Sequence, residues 1–443
     1  MFKVTNFDPK LLRWWWTQKS RIDMNPPYQR RGRLWSTTDK AFLIDSILNQ
    51  YDIPKVYVAD FTFGKSPLNR KRLPYAIIDG KQRFEAIFDF FDGGAEDEVT
   101  LRGNRAAFER VRLLPKVLVD VSQVDMKARI FGRESSLPLA IGPTGGIGAG
   151  RPGADLMLAR AAKAFGIPFT LATPATASIE RAAEVGGRLW FQLYVVRDRE
   201  FRERLVKRAE EAGYEALLVT VDLPVSGKRE RDPKNGFVTP YRPNWRNSHD
   251  VLGKPGWLLD ILRHGLPQME NFAGYKFSST TVTDIATAVG REMDAGLDWE
   301  ALKRLRDLWP GKLLLKGVER ADDAERAAAA GCDGIVVSNH GGRQLDGAAP
   351  TLDALPAIAS SVGKKMTVLL DGGIRRGVDI VKARALGAQA VLTGRATLFG
   401  VMAAGEPGAR RALEILSSEL ERAMRLCGTR SVAEIGPDLI ASR

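Results

Sequence analysis

Eight short apolar runs recur between residues 139 and 395. Each has the length of a strand buried on both faces, and most lead into an Ala- and charge-rich amphipathic stretch. The runs are LAIGPTG (139–145), FTLAT (169–173), LWFQLYV (189–195), ALLVTVD (216–222), KLLLKG (312–317), GIVVSNH (334–340), TVLLDGG (367–373) and AVLTGR (390–395). The stretches between them include DLMLARAAKAFG, FRERLVKRAEEAG, ADDAERAAAAG and GVDIVKARALG, with glycines placed as helix C-caps. This α/β pattern predicts a closed (β/α)8 TIM barrel, with an open doubly wound sheet as the rival. The count favours the barrel. So do the polar residues at the C-terminal end of nearly every run: Thr144, Thr173, Gln192 and Tyr194, Thr220 and Asp222, Lys316, Ser338 and His340, Asp371, and Arg395. A barrel turns all of them toward one cavity, whereas an open sheet divides them at its switch point.

The rhythm breaks once, between VTVD and KLLLKG. Residues 234–285 are rich in Pro, Asn, Ser and Trp and read as a long excursion after the fourth strand. Its piece VLGKPGWLLDILRHG (251–265) is amphipathic, and either packs on its own protein or touches a membrane surface. No run of apolar residues is long enough for a spanning helix, and the N-terminus lacks the pattern of a secretory signal. The two cysteines, Cys332 and Cys427, cannot build a disulfide framework or a Cys-rich zinc site, so a cytoplasmic setting and no metal are expected. Residues 1–90 hold 16 Lys/Arg against 9 Asp/Glu and carry a different texture, rich in aromatics, Asn, Gln and Ile. A basic aromatic segment is either a nucleic-acid surface or a solvated face.

The chemistry clusters at the strand ends. In SNHGGRQLD, His340 is followed by two glycines that permit a tight turn and by Arg343, which can fork onto a carboxylate. His340 reads as a base near neutral pH, the alternative being a hydrogen-bonded core histidine. His249 and His264 have no such company. DGGIRRG and LTGRA place Gly373, Arg375, Gly394 and Arg395 on the last two strands, where barrels commonly bind phosphate. Lys316 ends an apolar strand. It either meets an anion, forms a Schiff base, or snorkels to the rim. Gln192 with Tyr194, and Thr220 with Asp222, share a strand face at period two and suit the edge of a heterocycle; Arg229 follows in GKRERD.

On SNHGGRQLD, LLLKG, WFQLYV, DGGIRRG and GGAEDE (93–98), residues 89–443 resemble the FMN-dependent α-hydroxy acid dehydrogenase/oxidase family. PTG (143–145), GKRERD and HGLPQMENF look most like its mandelate dehydrogenase branch. The resemblance implies an FMN cofactor and oxidation of a 2-hydroxy acid, with reoxidation by a quinone-type acceptor or oxygen. It gives His340 the substrate's α-proton, or its hydroxyl proton during hydride transfer. Asp222 then stabilises the imidazolium, Arg343 and Arg229 bind the substrate carboxylate, and Tyr194 hydrogen-bonds the substrate. Lys316 falls at flavin N1/O2, Gln192 and Thr220 on the isoalloxazine, and the backbone of Pro143, Thr144 and Gly145 along the ring. Gly373, Arg375, Gly394 and Arg395 take the phosphate, and Ser338 and Asp371 complete the cofactor set. The resemblance also implies a homo-oligomer (a tetramer) and a barrel without nucleic acid. Peripheral contact with the inner face of the membrane through 234–285 stays one of the two readings of that excursion, beside packing on its own protein. Two positions depart from the family pattern: Phe90 or Phe91 stands where a substrate-binding Tyr is usual, and Ala172 where a Ser is common.

Residues 1–88 resemble instead a ParB-like DGQQR domain of restriction and phage-defence proteins, a small α+β module. The resemblance rests on NPPYQRRGRLW, FLIDSILNQYDIPKVYV and YAIIDGKQRFEAI. The motif is Asp79-Gly80-Lys81-Gln82-Arg83, with Lys for the first Gln, and the module is expected to be truncated. A chimaeric chain joined near FDFFDGG follows. It leaves two further readings: a nucleotide-dependent DNA-binding defence module carried by Tyr28, Arg30, Asp79 and Arg83, and a fusion without function.

Overall fold

A computed structural model describes residues 22–23, 57–60, 75–79, 90–230, 268–275 and 289–441. Two compact units make up the chain, residues 1–86 and 87–443. In the first, β1 (Ile22–Asp23), β2 (Tyr57–Asp60) and β3 (Tyr75–Asp79) form a sheet in the order β1-β3-β2. β1 runs parallel and β2 antiparallel to the central β3. Asp79 ends β3; Tyr28, Arg30 and Gly80 to Arg83 lie outside the described residues.

The second unit is a closed parallel barrel. Its strands are β6 (Leu139–Ile141), β7 (Phe169–Ala172), β8 (Leu189–Tyr194), β9 (Ala216–Thr220), β10 (Lys312–Val318), β11 (Gly334–Val337), β12 (Thr367–Leu370) and β13 (Ala390–Thr393). All eight apolar runs supply them, and β13 pairs with β6 to close the ring. Helices follow the strands: α2 (Ala154–Phe165), α3 (Ile179–Val185), α4 (Arg199–Glu211), α5 (Trp299–Leu308), α6 (Ala321–Ala329), α7 (Thr351–Val362), α8 (Gly377–Ala385) and α9 (Arg395–Cys427). Gly166 caps α2 with a left-handed backbone, as its sequence pattern requires. Ser178 and Asp198 cap α3 and α4 by accepting from backbone N–H groups in the first turn.

Strand alternation sorts the core into two layers. Ala140, Trp190, Ala216, Leu218, Leu314, Val336, Leu369, Ala390 and Leu392 fill the barrel interior. Residues of opposite parity, such as Leu217, Leu313, Leu315, Ile335 and Val337, pack against the surrounding helices. Two elements precede the barrel that the apolar periodicity does not announce. The hairpin β4 (Ala128–Ile130) and β5 (Arg133–Ser135) plugs the N-terminal end, with Ile130 in the inner layer and Phe131 edge-on to Trp190 at 5.6 Å. Helix α1 (Val99–Arg110) lies over the loops after β11 and β12, where the Asn104 and Asn339 amides exchange hydrogen bonds of 2.8 and 2.9 Å.

The excursion 234–285 falls mostly outside the described residues, including VLGKPGWLLDILRHG, His249 and His264. Its described part holds a short 3-10 turn, Glu270–Phe272.

Candidate active site

The inner layer fixes which residues reach the C-terminal mouth, because side chains two positions further along a strand share its face. Trp190 is followed by Gln192 and Tyr194, Leu218 by Thr220 and Asp222, Leu314 by Lys316, Val336 by Ser338, and Leu369 by Asp371. The Gln192 amide donates to Thr220 Oγ1 at 2.8 Å, and Thr173 Oγ1 donates to the Gln192 carbonyl at 2.6 Å. The Lys316 ammonium is buried, not snorkelling. It donates to Ser338 Oγ at 2.9 Å and lies 3.3 Å from Asp371 Oδ2. Burial alone would lower its pKa, but the Asp371 and Asp222 carboxylates outweigh that and raise it above the ordinary lysine value. Lys316 therefore stays charged.

His340 stands just beyond β11 with φ at 58°, left-handed and costly for a residue with a Cβ. Its backbone N–H donates to Ser338 Oγ at 3.1 Å, and Gly341 and Gly342 continue the left-handed path. A Cβ on Gly342 would come within 2.5 Å of the Leu101 backbone, so only glycine lets this loop lie against α1. The turn brings the imidazole between two partners. Nδ1 is 3.0 Å from Asp222 Oδ1, and Nε2 is 3.1 Å from the Tyr194 hydroxyl. Burial pulls the Asp222 carboxyl up, yet His340 and Lys316 beside it hold it below the ordinary carboxylate range. Burial also raises the Tyr194 phenol, so it remains a donor. The hydrogen bonds then fix one tautomer: Nδ1–H donates to Asp222, and Nε2 accepts from Tyr194.

Gly317 makes room for this pair. Its φ is 107°, and a Cβ there would meet Asp222 Cβ at 2.6 Å. The glycine of LLLKG is thus a packing requirement of the carboxylate on the neighbouring strand.

The two arginines expected on a substrate carboxylate converge on Phe90. The Arg343 and Arg229 guanidinium carbons each lie 5.3 Å from its ring centroid. One Arg343 nitrogen also donates to the carbonyls of Phe90 and Gly93 at 2.7 and 2.8 Å. Phe90 therefore occupies the mouth, as the departure from the family Tyr implies, while Phe91 meets it edge-on at 4.9 Å.

At the far rim Arg395 donates to the carbonyls of Phe91, Gly93 and Gly341 at 2.9–3.0 Å, tying residues 91–93 to the His340 loop. The rest of the turn keeps the expected form: Gly373 has φ at 96°, and Gly394 is the N-cap of α9, whose first-turn N–H groups suit an anion. Asp379 accepts from the backbone N–H groups of Arg375 and Arg376 and fixes the DGGIRRG turn. Pro143, Thr144 and Gly145 follow β6, half-buried, with Gly145 pressed on Pro174. Ala172 is buried at the end of β7, beside Gln192 in register.

The cavity suits a flavin nucleotide. The C-terminal mouth offers a buried ammonium, an amide and a hydroxyl at the ends of β10, β8 and β9, and glycine turns with a helix N-terminus after β12 and β13. Asp222 Oδ2 and Asp371 Oδ1, at the ends of the same barrel, are buried without hydrogen-bond partners.

A barrel with this donor set defines a class, and comparison with known proteins agrees. Residues 81–442 match the FMN-dependent dehydrogenase family. The chain belongs to that family, and FMN is its cofactor. It is 45% identical to (S)-mandelate dehydrogenase of Pseudomonas putida over 84% of this chain and 91% of that protein. It is 43% identical to L-lactate oxidase of a Nostoc species over 84% and 97%. Among solved structures, monotopic membrane protein (S)-mandelate dehydrogenase superposes with a TM-score of 0.77 at 46% identity, over 82% of this chain and 96% of that one. Mandelate oxidase with (S)-4-hydroxymandelic acid gives 0.71 at 40%, over 81% and 94%. Residues 16–136 match a second family, the N-terminal domain of the GmrSD restriction endonuclease, so the two matches overlap across 81–136.

Proposed function

We propose that this chain oxidises a small or aromatic 2-hydroxy acid, mandelate- or lactate-like, to the 2-oxo acid. The observation that carries this reading is the line Asp222–His340–Tyr194, a base whose tautomer and developing charge are both provided for. When bound, FMN supplies the two-electron acceptor. Lys316, Gln192, Thr220, Ser338 and Asp371 would hold its ring, with the 143–145 backbone along one side. Gly373, Arg375, Gly394 and Arg395 would hold its phosphate.

The protein's own residues then do the following. Arg343 and Arg229 hold the substrate carboxylate beside Phe90. The substrate hydroxyl displaces the Tyr194 hydroxyl from Nε2 or shares that nitrogen with it. Nε2 takes a proton from the substrate, either from Cα or from the hydroxyl. Asp222 stabilises the resulting imidazolium at 3.0 Å, and Lys316 offsets negative charge in the pocket. Reoxidation by a quinone-type acceptor or by oxygen, assembly as a homo-tetramer, and peripheral membrane contact through 234–285 belong to the same proposal. The monotopic character of the solved (S)-mandelate dehydrogenase supports the last of these. No helix among the described residues is long and apolar enough to cross a membrane.

The restriction-family match favours a second reading for residues 1–88: a truncated nucleotide-dependent DNA-binding module carried by Tyr28, Arg30, Asp79 and Arg83 in a chimaeric chain. Nucleotide-dependent DNA binding at low salt, lost in Asp79→Ala, tests it.

The purified protein should be yellow, and (S)-mandelate or L-lactate should bleach its flavin bands under anaerobic conditions. A hydroxy acid panel with and without oxygen then assigns substrate and acceptor. A colourless protein that FMN cannot reconstitute overturns the reading.

A further inference from the structure

The loop that carries His340 holds a backbone that one of its residues does not favour. His340, Gly341 and Gly342 run left-handed in succession, with φ at 58°, 64° and 76°. Glycine takes that conformation freely and histidine does not, so contacts must hold the turn. Asn339, the residue before the imidazole, closes it. The Gly342 N–H donates both to the Asn339 carbonyl at 3.0 Å and to Asn339 Oδ1 at 3.1 Å.

That side chain is gripped by a helix that precedes the barrel. Asn104, in the middle of α1, donates from Nδ2 to Asn339 Oδ1 at 2.8 Å, and Asn339 Nδ2 donates back to Asn104 Oδ1 at 2.9 Å. Both residues are buried, at 1% and 4% exposure. Backbone groups fix which way each amide faces. The Ala349 carbonyl accepts from Asn339 Nδ2 at 3.0 Å, and the Gly342 N–H points at Asn339 Oδ1. The N–H of Thr351, the first residue of α7, donates to Asn104 Oδ1 at 3.2 Å. Neither amide can turn over without setting like groups face to face, so the pair specifies one geometry. Flanking contacts fasten α1 and the segment before it to the same loop. The Thr100 N–H donates to Asp346 Oδ1 at 2.8 Å, and the Ala95 N–H donates to the Gly342 carbonyl at 2.8 Å.

The imidazole has to satisfy two strand ends at once, Asp222 at 3.0 Å and Tyr194 at 3.1 Å. A turn that relaxes from its left-handed path carries the ring away from both. Resting on the hydroxy acid reading, we propose that Asn104 is a positioning residue for the base. Through Asn339 it holds the turn that keeps His340 Nδ1 on Asp222 and Nε2 aimed into the mouth. The rate of proton removal thereby depends on a helix that supplies none of the groups expected on the substrate or the flavin.

The test uses the FMN-loaded full chain and anaerobic stopped-flow reduction by saturating (S)-mandelate, with the rate taken per bound flavin. Asn104→Ala should bleach in one phase, roughly ten- to hundredfold more slowly than the wild type, as a reacting group displaced by about 1 Å requires. A merely structural role gives a different result: a lower urea midpoint and lost FMN, with the remaining flavin reduced at the wild-type rate. Asn104→Asp keeps the size but loses the donor to Asn339 Oδ1. It should slow reduction as well, and it carries the test if the alanine variant does not fold. Asn339→Ala should be at least as slow, and adding Asn104→Ala to it should change the rate by less than about twofold. A wild-type rate per bound flavin in the Asn104 variants overturns the proposal. So does full additivity, which would route the effect through Thr351 instead. A second readout needs no turnover. The His340 Nδ1–H should give a far-downfield proton resonance that is missing from His340→Ala and lost or weakened in Asn104→Ala; a resonance that Asn104→Ala leaves unchanged also overturns the proposal. If the resonance responds as expected in a protein whose flavin no hydroxy acid bleaches, the substrate reading alone falls.

Discussion

Asp222→Asn removes a charge and leaves a shape. The carboxylate lies 3.0 Å from His340 Nδ1 in a buried mouth, beside Lys316. At an effective dielectric of about 20, an ion pair at that separation is worth about 5–6 kcal/mol. That attraction exists only once the imidazole has taken a proton, so it is absent from the resting enzyme and present in the transition state. An asparagine amide keeps a weaker contact and returns part of the interaction, but it can also present N–H to Nδ1 and favour the wrong tautomer. A net loss of about 3–4 kcal/mol corresponds to a flavin reduction rate roughly two to three powers of ten slower. Anaerobic stopped-flow absorbance with saturating (S)-mandelate measures this directly, with flavin content determined beforehand. A variant that keeps its flavin and reduces it within about fivefold of the wild-type rate would refute the assignment of Asp222.

Three further outcomes follow from the same geometry. Gly317→Ala, at φ 107° with its Cβ 2.6 Å from Asp222, should cost about 1–3 kcal/mol by urea unfolding and slow flavin reduction as the carboxylate is displaced. Phe90→Tyr, whose ring centroid lies 5.3 Å from both Arg229 and Arg343, should lower KM for (S)-mandelate several-fold with little change in kcat; an unchanged KM places the substrate elsewhere. Glu319, raised by burial to about 7 from 4.5, is neutral in the fold and ionised in the unfolded chain between those values. Stability should therefore decline as pH rises from about 4.5 to about 7 and then level off. Glu319→Gln should lack that slope in denaturant midpoints measured across the range.

Much of this site was legible because the barrel repeats one simple rule. A strand buried on both faces puts its last inward residue at the mouth, so the ends of LLLK, VTVD and WFQLY name Lys316, Asp222 and Tyr194 from their spacing alone. Two kinds of information were not legible. Helix α1 and the β4–β5 hairpin are held by contacts distant in sequence, such as Asn104 with Asn339, and have no apolar period of their own. The further contacts of arginines depend on what they meet: LTGRA does not announce that Arg395 grips the carbonyls of residues 91, 93 and 341.

The assignment of His340 as the base is tested most directly by single-turnover flavin reduction in His340→Ala. The account expects a yellow variant with wild-type FMN content whose bands do not bleach when (S)-mandelate is added anaerobically. Bleaching at a rate near that of the wild type would contradict it, and loss of the flavin would recast His340 as a structural residue.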